Sequence, residues 1–330
     1  MKDTTSARDQ SQPAFDEAAG VVAEMAGFPR QYQARGIYRD AARRFVRNRL
    51  AIVGLLLVVT LVTLAVLADD WFLALPAGRE PQPVIARTSY DKIFFGPVGA
   101  FPSTEYWMGT DLNGRDLWSR IVFAARISLS IAFLAQFVAV VIGVPMGAIA
   151  GWRGGRVDFL IMRIVDIMSA LPALLLAYLL MARIGAGYWN VMIAIGVTSW
   201  IGICRLTRAQ FLSLREKEFV EASRMIGAKT WRIIRFHLLP NALAPIIVSL
   251  TLGIPAAIFA EASLSFLGVG INPPMPSWGQ MLGRDGITNM TFFWHLALFP
   301  AIMIAITMLG FTLMGDGLRD ALDPQMVRMK

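Results

Sequence analysis

The sequence predicts an all-α polytopic membrane protein with six transmembrane helices, and three observations carry that expectation. Hydrophobic residues make up 56% of the 330 and charged residues only 16%, whereas about a quarter of a soluble domain is charged. Mean hydropathy is +0.55. The apolar residues also gather into runs of roughly 20 that carry little or no charge, the length a helix needs to cross a bilayer. Too little polar surface remains for a water-soluble globule, and a disordered chain of this composition would collapse. A single cysteine, Cys204, excludes an intrachain disulfide framework, and with only two histidines it leaves little for a zinc site.

Residues 1–31 are polar and are expected to form a mobile cytoplasmic tail. In 32–49, Ile37, Ala41 and Phe45 recur every fourth residue, Tyr38, Ala42 and Val46 follow one position on, and Arg39, Arg43, Arg44, Arg47 and Arg49 fill most of the rest. This pattern predicts a basic amphipathic helix, lying either on the inner leaflet or on the protein's own base. The first span is Leu50–Ala68, uncharged and too long for a signal-peptide core, so it is expected to remain as an anchor. An external segment, 69–126, follows; prolines break its first part. Asp111, Asn113 and Gly114 superficially resemble a calcium loop, but Gly and Glu do not fall at the sixth and twelfth positions. The expectation is an Asx-type turn capping the next helix.

Five more spans make up a core at 127–315: Ile127–Gly151, Ile164–Ala182, Ile184–Cys204, Leu238–Leu267 and Ile287–Gly315. Gly185, Ala186 and Gly187 mark the turn between the third and fourth, and Pro145, Pro172, Pro255 and Pro300 are expected to kink their spans. A short tail, 316–330, ends the chain. Lys and Arg number nine in 1–49, three in 152–164, eight in 205–237 and three in 315–330. By the positive-inside rule both termini are cytoplasmic, which assigns the basic charge to a lipid surface and disfavours a nucleic-acid partner.

The cytoplasmic stretch 205–240 is long for a connector. Ser213 and Glu216 fit a capping box, so a helix is expected to start there. Lys217 with Glu221, and Glu221 with Arg224, are spaced to pair along it. Phe219, Val220, Met225 and Ile226 supply an apolar side. Gly227 interrupts, and Trp231, Ile234 and His237 continue to Leu239 and Pro240. The pattern predicts two short helices forming a protruding knob. Within the spans, Glu261 has three readings: lining a path, bonding a neighbouring span, or reaching the outer interface. Asp166 is spaced to pair with Arg163, and His295 reads as an interfacial or packing residue.

Glu221, Ala222 and Ser223, then Gly227, then His237, Leu239 and Pro240 resemble the EAA loop of ABC-importer permeases, with Ser223 replacing an Ala and His237 an Ile. Gly109, Thr110, Asp111, Gly114, Arg115 and Asp116 are similar to the external motif of dipeptide/oligopeptide permeases of the C-subunit type. So are Glu261 to Gly268 with Pro276 to Gly279, and Gly315 to Pro324. The resemblance covers about residues 40–326. It implies the type I ABC-importer permease fold, with a cytoplasmic coupling helix in the EAA loop and a bacterial or archaeal cytoplasmic membrane as location. It also implies partners: a second homologous permease in a heterodimer, two ATPase subunits and an extracytoplasmic substrate-binding protein. Glu261, Ser265 and Asp166 become candidates for a pathway or gate. No phosphate-cradling G-x-x-x-x-G-K-[ST] loop is present, so no cofactor is expected on this chain, ATP and Mg belonging to the partner ATPases, and no catalytic or metal residue is assigned. Cargo ranges over peptides, nickel, glutathione and sugars. An ion-coupled secondary transporter is the alternative, but it would want acidic or His relays in several spans. An intramembrane protease would want paired Ser/His or Asp/Asp groups.

Overall fold

A computed structural model of the chain describes residues 37–322 other than 75, 77 and 79. The expected tail at 1–31 and the last residues of the C-terminal motif, 323 and 324, lie outside them. The described residues are helical and irregular, without a strand. Helix α1 (Ile37–Arg47) meets α2 (Arg49–Val66) at Asn48. The Asn48 side chain accepts from the backbone N–H groups of Leu50 and Ala51 at 3.1 and 3.2 Å, capping the first span. Ala41 is buried while Ala42 and Val46 are exposed. Ala41 and Phe45 of the first apolar stripe therefore pack on the protein, while Ala42 and Val46 of the second are left to the surroundings.

Helix α3 (Leu117–Arg153) starts ten residues before the expected second span. At 1.5 Å per residue its 37 residues reach about 55 Å, well beyond a bilayer core. Its early start follows from Asp116, whose carboxylate accepts from the backbone and hydroxyl of Ser119 at 2.9 and 2.6 Å. The third span is not one helix. It is α4 (Gly155–Ser169) and α5 (Ala173–Ile184), bent by 81°. Pro172 clashes with a continuing helix and biases Leu171 away from helical geometry. The turn at Gly185–Gly187 forms as expected, with Asn190 donating to the carbonyls of Ile184 and Gly185.

Helix α6 (Tyr188–Leu214) runs ten residues past Cys204. Ser213 is thus inside a helix rather than starting one, and the expected capping box does not form. Buried Phe211 and the bond from Arg215 to the Gly151 carbonyl hold this extension in place. Next come α7 (Glu218–Met225), α8 (Thr230–Ile233), a π-helical stretch at Ile234–Leu238 and α9 (Leu239–Phe266). Helix α10 (Trp278–Gln280) leads into a second π-helical stretch, Met281–Ile287. The last span, α11 (Trp294–Leu322), begins seven residues later than expected. Residues 281–287 instead turn back against α9, and Asn289 donates to the Asp285 carbonyl in the bend that follows. Among the described residues five helices are long and apolar enough to cross a membrane, six where the bent pair is counted as one span.

The spans meet through small residues. Gly143, Gly147 and Gly151 form one stripe on α3 that lies directly on α6. A Cβ on Gly147 would stand 2.4 Å from the Cys204 carbonyl oxygen, and one on Gly143 2.8 Å from that of Trp200. On the other side, α2 meets α11 with Gly54 against the backbone of Gly310 and Met314. Between helices in lipid there is little hydrophobic drive, so close backbone packing carries association. Gly147→Val should therefore force α3 and α6 apart, at a cost of about 1–3 kcal/mol or more. It should lower the thermal midpoint of the purified protein by several degrees. Gly202→Ala in the same pair of helices, with nothing within 4 Å of the new Cβ, should leave the midpoint unchanged.

Candidate functional site

Two sites stand at opposite ends of α9. At one end, α7 and α8 form the expected knob. Its root is a core cluster in which Phe211, Val220, Ile233, Leu238, Ala242 and Ile246 are all buried. Gly227 joins the two helices with φ at +77°, a conformation costly for any residue bearing a Cβ. Helix α8 is not separate from the fifth span but flows into α9 through the π-helical stretch. Pro240 has no N–H to close a regular turn here, and beside it the Asn241 side chain donates to the His237 carbonyl at 2.6 Å.

The EAA-loop residues divide between tip and root. Glu221, Ala222, Gly227 and Pro240 are exposed, His237 and Leu239 are half-buried, and Ser223 is buried. Ser223 is tolerated inside because its hydroxyl donates to the Phe219 carbonyl at 2.7 Å. The His237 ring lies beside that of Phe219. The expected pairs of Glu221 with Lys217 and Arg224 are not made among the described residues. Lys217 takes the N-cap position, and Arg224 lies over the Trp152 ring at 4.9 Å. The apolar side is also split: Val220 faces the root, while Met225 and Ile226 are 89% and 85% exposed and Trp231, on α8, is 68% exposed.

Asp158 accepts two bonds from Arg208, at 2.5 and 2.6 Å, tying α4 to α6 near the knob. Asp166 does not pair with Arg163. The bend after Ser169 brings it to Arg205 at 2.9 Å, and Arg163 lies over Phe159 instead. This pair is half-exposed, so it is worth little as a stabilising contact.

At the other end, Glu261 is fully buried. Its carboxylate accepts from Ser128 on α3 (3.2 Å), Ser265 on α9 (2.8 Å) and Ser277 before α10 (2.7 Å). Of the three sequence readings, the structure shows the bond to a neighbouring span. The three hydroxyls enclose the Glu261 carboxylate, while Ser265 also borders a cavity at this end of α9. Trp278, fully buried, seals the junction by donating to the Ile121 carbonyl. Gly279 and Gly283 lie against the backbone of Ala262 and Phe266. Sequence reading named Pro276 to Gly279 as part of a motif but not its packing on α9, although the Gly-x-x-x-Gly spacing of 279 and 283 signals close helix contact.

The external motif forms a buried polar corner. Asp111 accepts from the backbone of Asn113 and Arg115, the expected Asx-type turn, and pairs with the side chains of Arg115 (2.6 Å) and Arg120 (3.4 Å). Gly109 and Gly114 take positive φ, and Gly109 leaves no room for a Cβ beside Ala100. Thr110 meets buried His295 of the last span through its carbonyl at 3.3 Å, so His295 is the packing residue expected. Asp116 stands near Arg87, whose guanidinium also lies over Phe95 and Trp107. The motif thus fixes the external segment on the helix ends.

Residues 143–328 match the family described as binding-protein-dependent transport system inner membrane component, and the chain belongs to that family. Residues 37–96 match the N-terminal TM domain of oligopeptide transport permease C. The dipeptide transport permease DppC of Bacillus subtilis is 43% identical over 291 residues, covering 88% of this chain and 86% of the relative. The glutathione transport permease GsiD of Pectobacterium atrosepticum is 38% identical over 297 residues, 90% and 94% of the two chains. Within the family, the chain is therefore an ABC permease of the DppC/OppC-like branch. A chain of the inward-facing MetNI methionine ABC transporter shares the fold, with a TM-score of 0.51 at 20% identity over 62% of this chain and 96% of that one. A secondary transporter is not favoured.

Glu261→Ala should leave three buried hydroxyls short of their acceptor and release the 277–287 segment. Melting of the detergent-purified protein should fall by several degrees, about 2–4 kcal/mol in scale if each orphaned group costs about 1. Glu261→Gln, which keeps an acceptor oxygen, should fall less.

Proposed function

We propose that this chain is one of two unlike permease subunits that together enclose an import path for peptides or a related small solute. The knob seats in a separate ATPase subunit, which holds ATP and Mg. An extracytoplasmic binding protein delivers the solute at the opposite end. The observation that carries this reading is the knob itself, with a buried root continuous with the fifth span and a tip that exposes Met225, Ile226 and Trp231. A push at such a tip moves α9 as a body, where a loose connector would absorb it. Glu221 and Ala222, exposed on the same element, would contact the ATPase.

For the path we favour the cleft of about 260 Å³ bordered by Gln136, Thr198, Ser199, Ser249 and Gly253 over the enclosed Glu261. Asp166, exposed at the bend, stays a gate candidate. The tip and the basic segments share one end of the molecule, which supports a cytoplasmic knob, cytoplasmic termini and a bacterial or archaeal cytoplasmic membrane.

Gly227→Val meets open space but a strained backbone, so its effect should be one of direction rather than packing. Combined with Glu221→Lys, it should leave membrane abundance near normal, while import falls at least tenfold and the ATPase is lost on pull-down. Normal import at normal ATPase occupancy would reduce the knob to a connector. Cysteines introduced in a Cys204→Ser background give the topology: position 85 should react with an impermeant reagent in intact cells and position 217 should not.

A further inference from the structure

The end of α9 opposite the knob borders a cavity of about 360 Å³, within the usual range for small-ligand sites. Ser265, Ile271, Asn272, Gln280, Gly283 and Thr288 line it. Gln280 is the unusual member. It is only 3% exposed, and neither its amide nitrogen nor its amide oxygen has a hydrogen-bond partner among the described residues. Buried polar groups in native proteins are almost always paired. Nor can Gln280 shift easily to find a partner. Its backbone N–H is held by Ser277, Trp278 is locked to Ile121, and Gly279 and Gly283 press on α9.

The cavity's chemistry is narrow. Among the described lining residues there is no carboxylate, Lys or Arg, which disfavours a metal ion or a phosphate. What it offers is a primary amide with hydroxyl and amide groups around it. A carboxamide presents a donor and an acceptor side by side. In an extended peptide, the N–H and C=O of one residue point to the same side, so one glutamine side chain can satisfy both.

We propose that this cavity is a subsite for the main chain of an extended peptide, with Gln280 pairing to the N–H and C=O of a single ligand residue. This rests on the reading of the chain as a peptide permease. The subsite reads backbone, not side chains, and so would accept peptides of varied sequence.

The test uses the whole transporter, with its binding protein, in proteoliposomes. The probes are a tripeptide that the wild type imports from a mixed tripeptide pool, and its analogue in which an ester oxygen replaces the central N–H. The readout is the ratio of the two import rates. Discrimination by the binding protein enters the wild type and variants equally and cancels. Losing one buried hydrogen bond is worth about tenfold, so Gln280→Met should shrink the amide-over-ester preference about tenfold. Thr288→Val, at an exposed position on the cavity wall, should shrink it by a smaller factor and guards against a folding defect in Gln280→Met. An unchanged ratio in both variants, with import intact, overturns the subsite and leaves the peptide reading standing. If Gln280→Met does not assemble, an unchanged ratio in Thr288→Val and Gln280→Asn overturns it. No import of any peptide by the wild type overturns the peptide reading and the subsite with it.

Discussion

The architecture depends on how closely helix backbones approach one another where water is absent. Lipid is as apolar as leucine, so spans gain little by hiding apolar side chains from it. What remains is contact at short range. Gly143, Gly147 and Gly151 let α3 lie directly on the carbonyls of α6, and Gly54 lets α2 do the same on α11. Everything else is positioned from these two seams. The α3–α6 pair extends past the bilayer and supplies Phe211 and Arg215, which anchor the root of the knob. The α2–α11 pair carries α1 at one end and reaches the external corner through His295 at the other.

Polar groups inside this frame act as fasteners. Glu261 gathers three serines from three stretches of chain and holds the returning segment after α9. Asp111 does similar work outside, with two arginines and two backbone amides. Both lie close to the end of the molecule opposite the knob. That end is held by buried polar bonds, whereas the knob end rests chiefly on an apolar core and glycine geometry, with the Asp158–Arg208 pair and the Arg215 bond beside it.

Much of this was legible in the sequence. Apolar runs gave the spans, because a bilayer sets their length. The positive φ at Gly227 followed from a glycine between two short helical patterns, and the Asp111 turn from its own local chemistry. The misreadings share a cause. Hydropathy measures what a run avoids, not where a helix stops. It joined α4 to α5 across Pro172, started α11 at Ile287, and ended α6 at Cys204 although buried Phe211 carries the helix further. Local spacing also paired Asp166 with Arg163, while the bend delivers Arg205. Glu261's partners lie far apart in sequence, at 128, 265 and 277, so no local pattern could have named them together.

The exposed tip has a consequence for how the protein must be made. Met225, Ile226 and Trp231 each expose apolar surface on the knob, and where such surface faces water it drives association or aggregation. A copy inserted without a partner to cover that surface displays what chaperones and proteases recognise as unfinished. Stoichiometry then becomes self-correcting. If the knob seats in an ATPase as proposed above, copies made in excess of that partner carry their own mark for removal, while assembled ones have it covered.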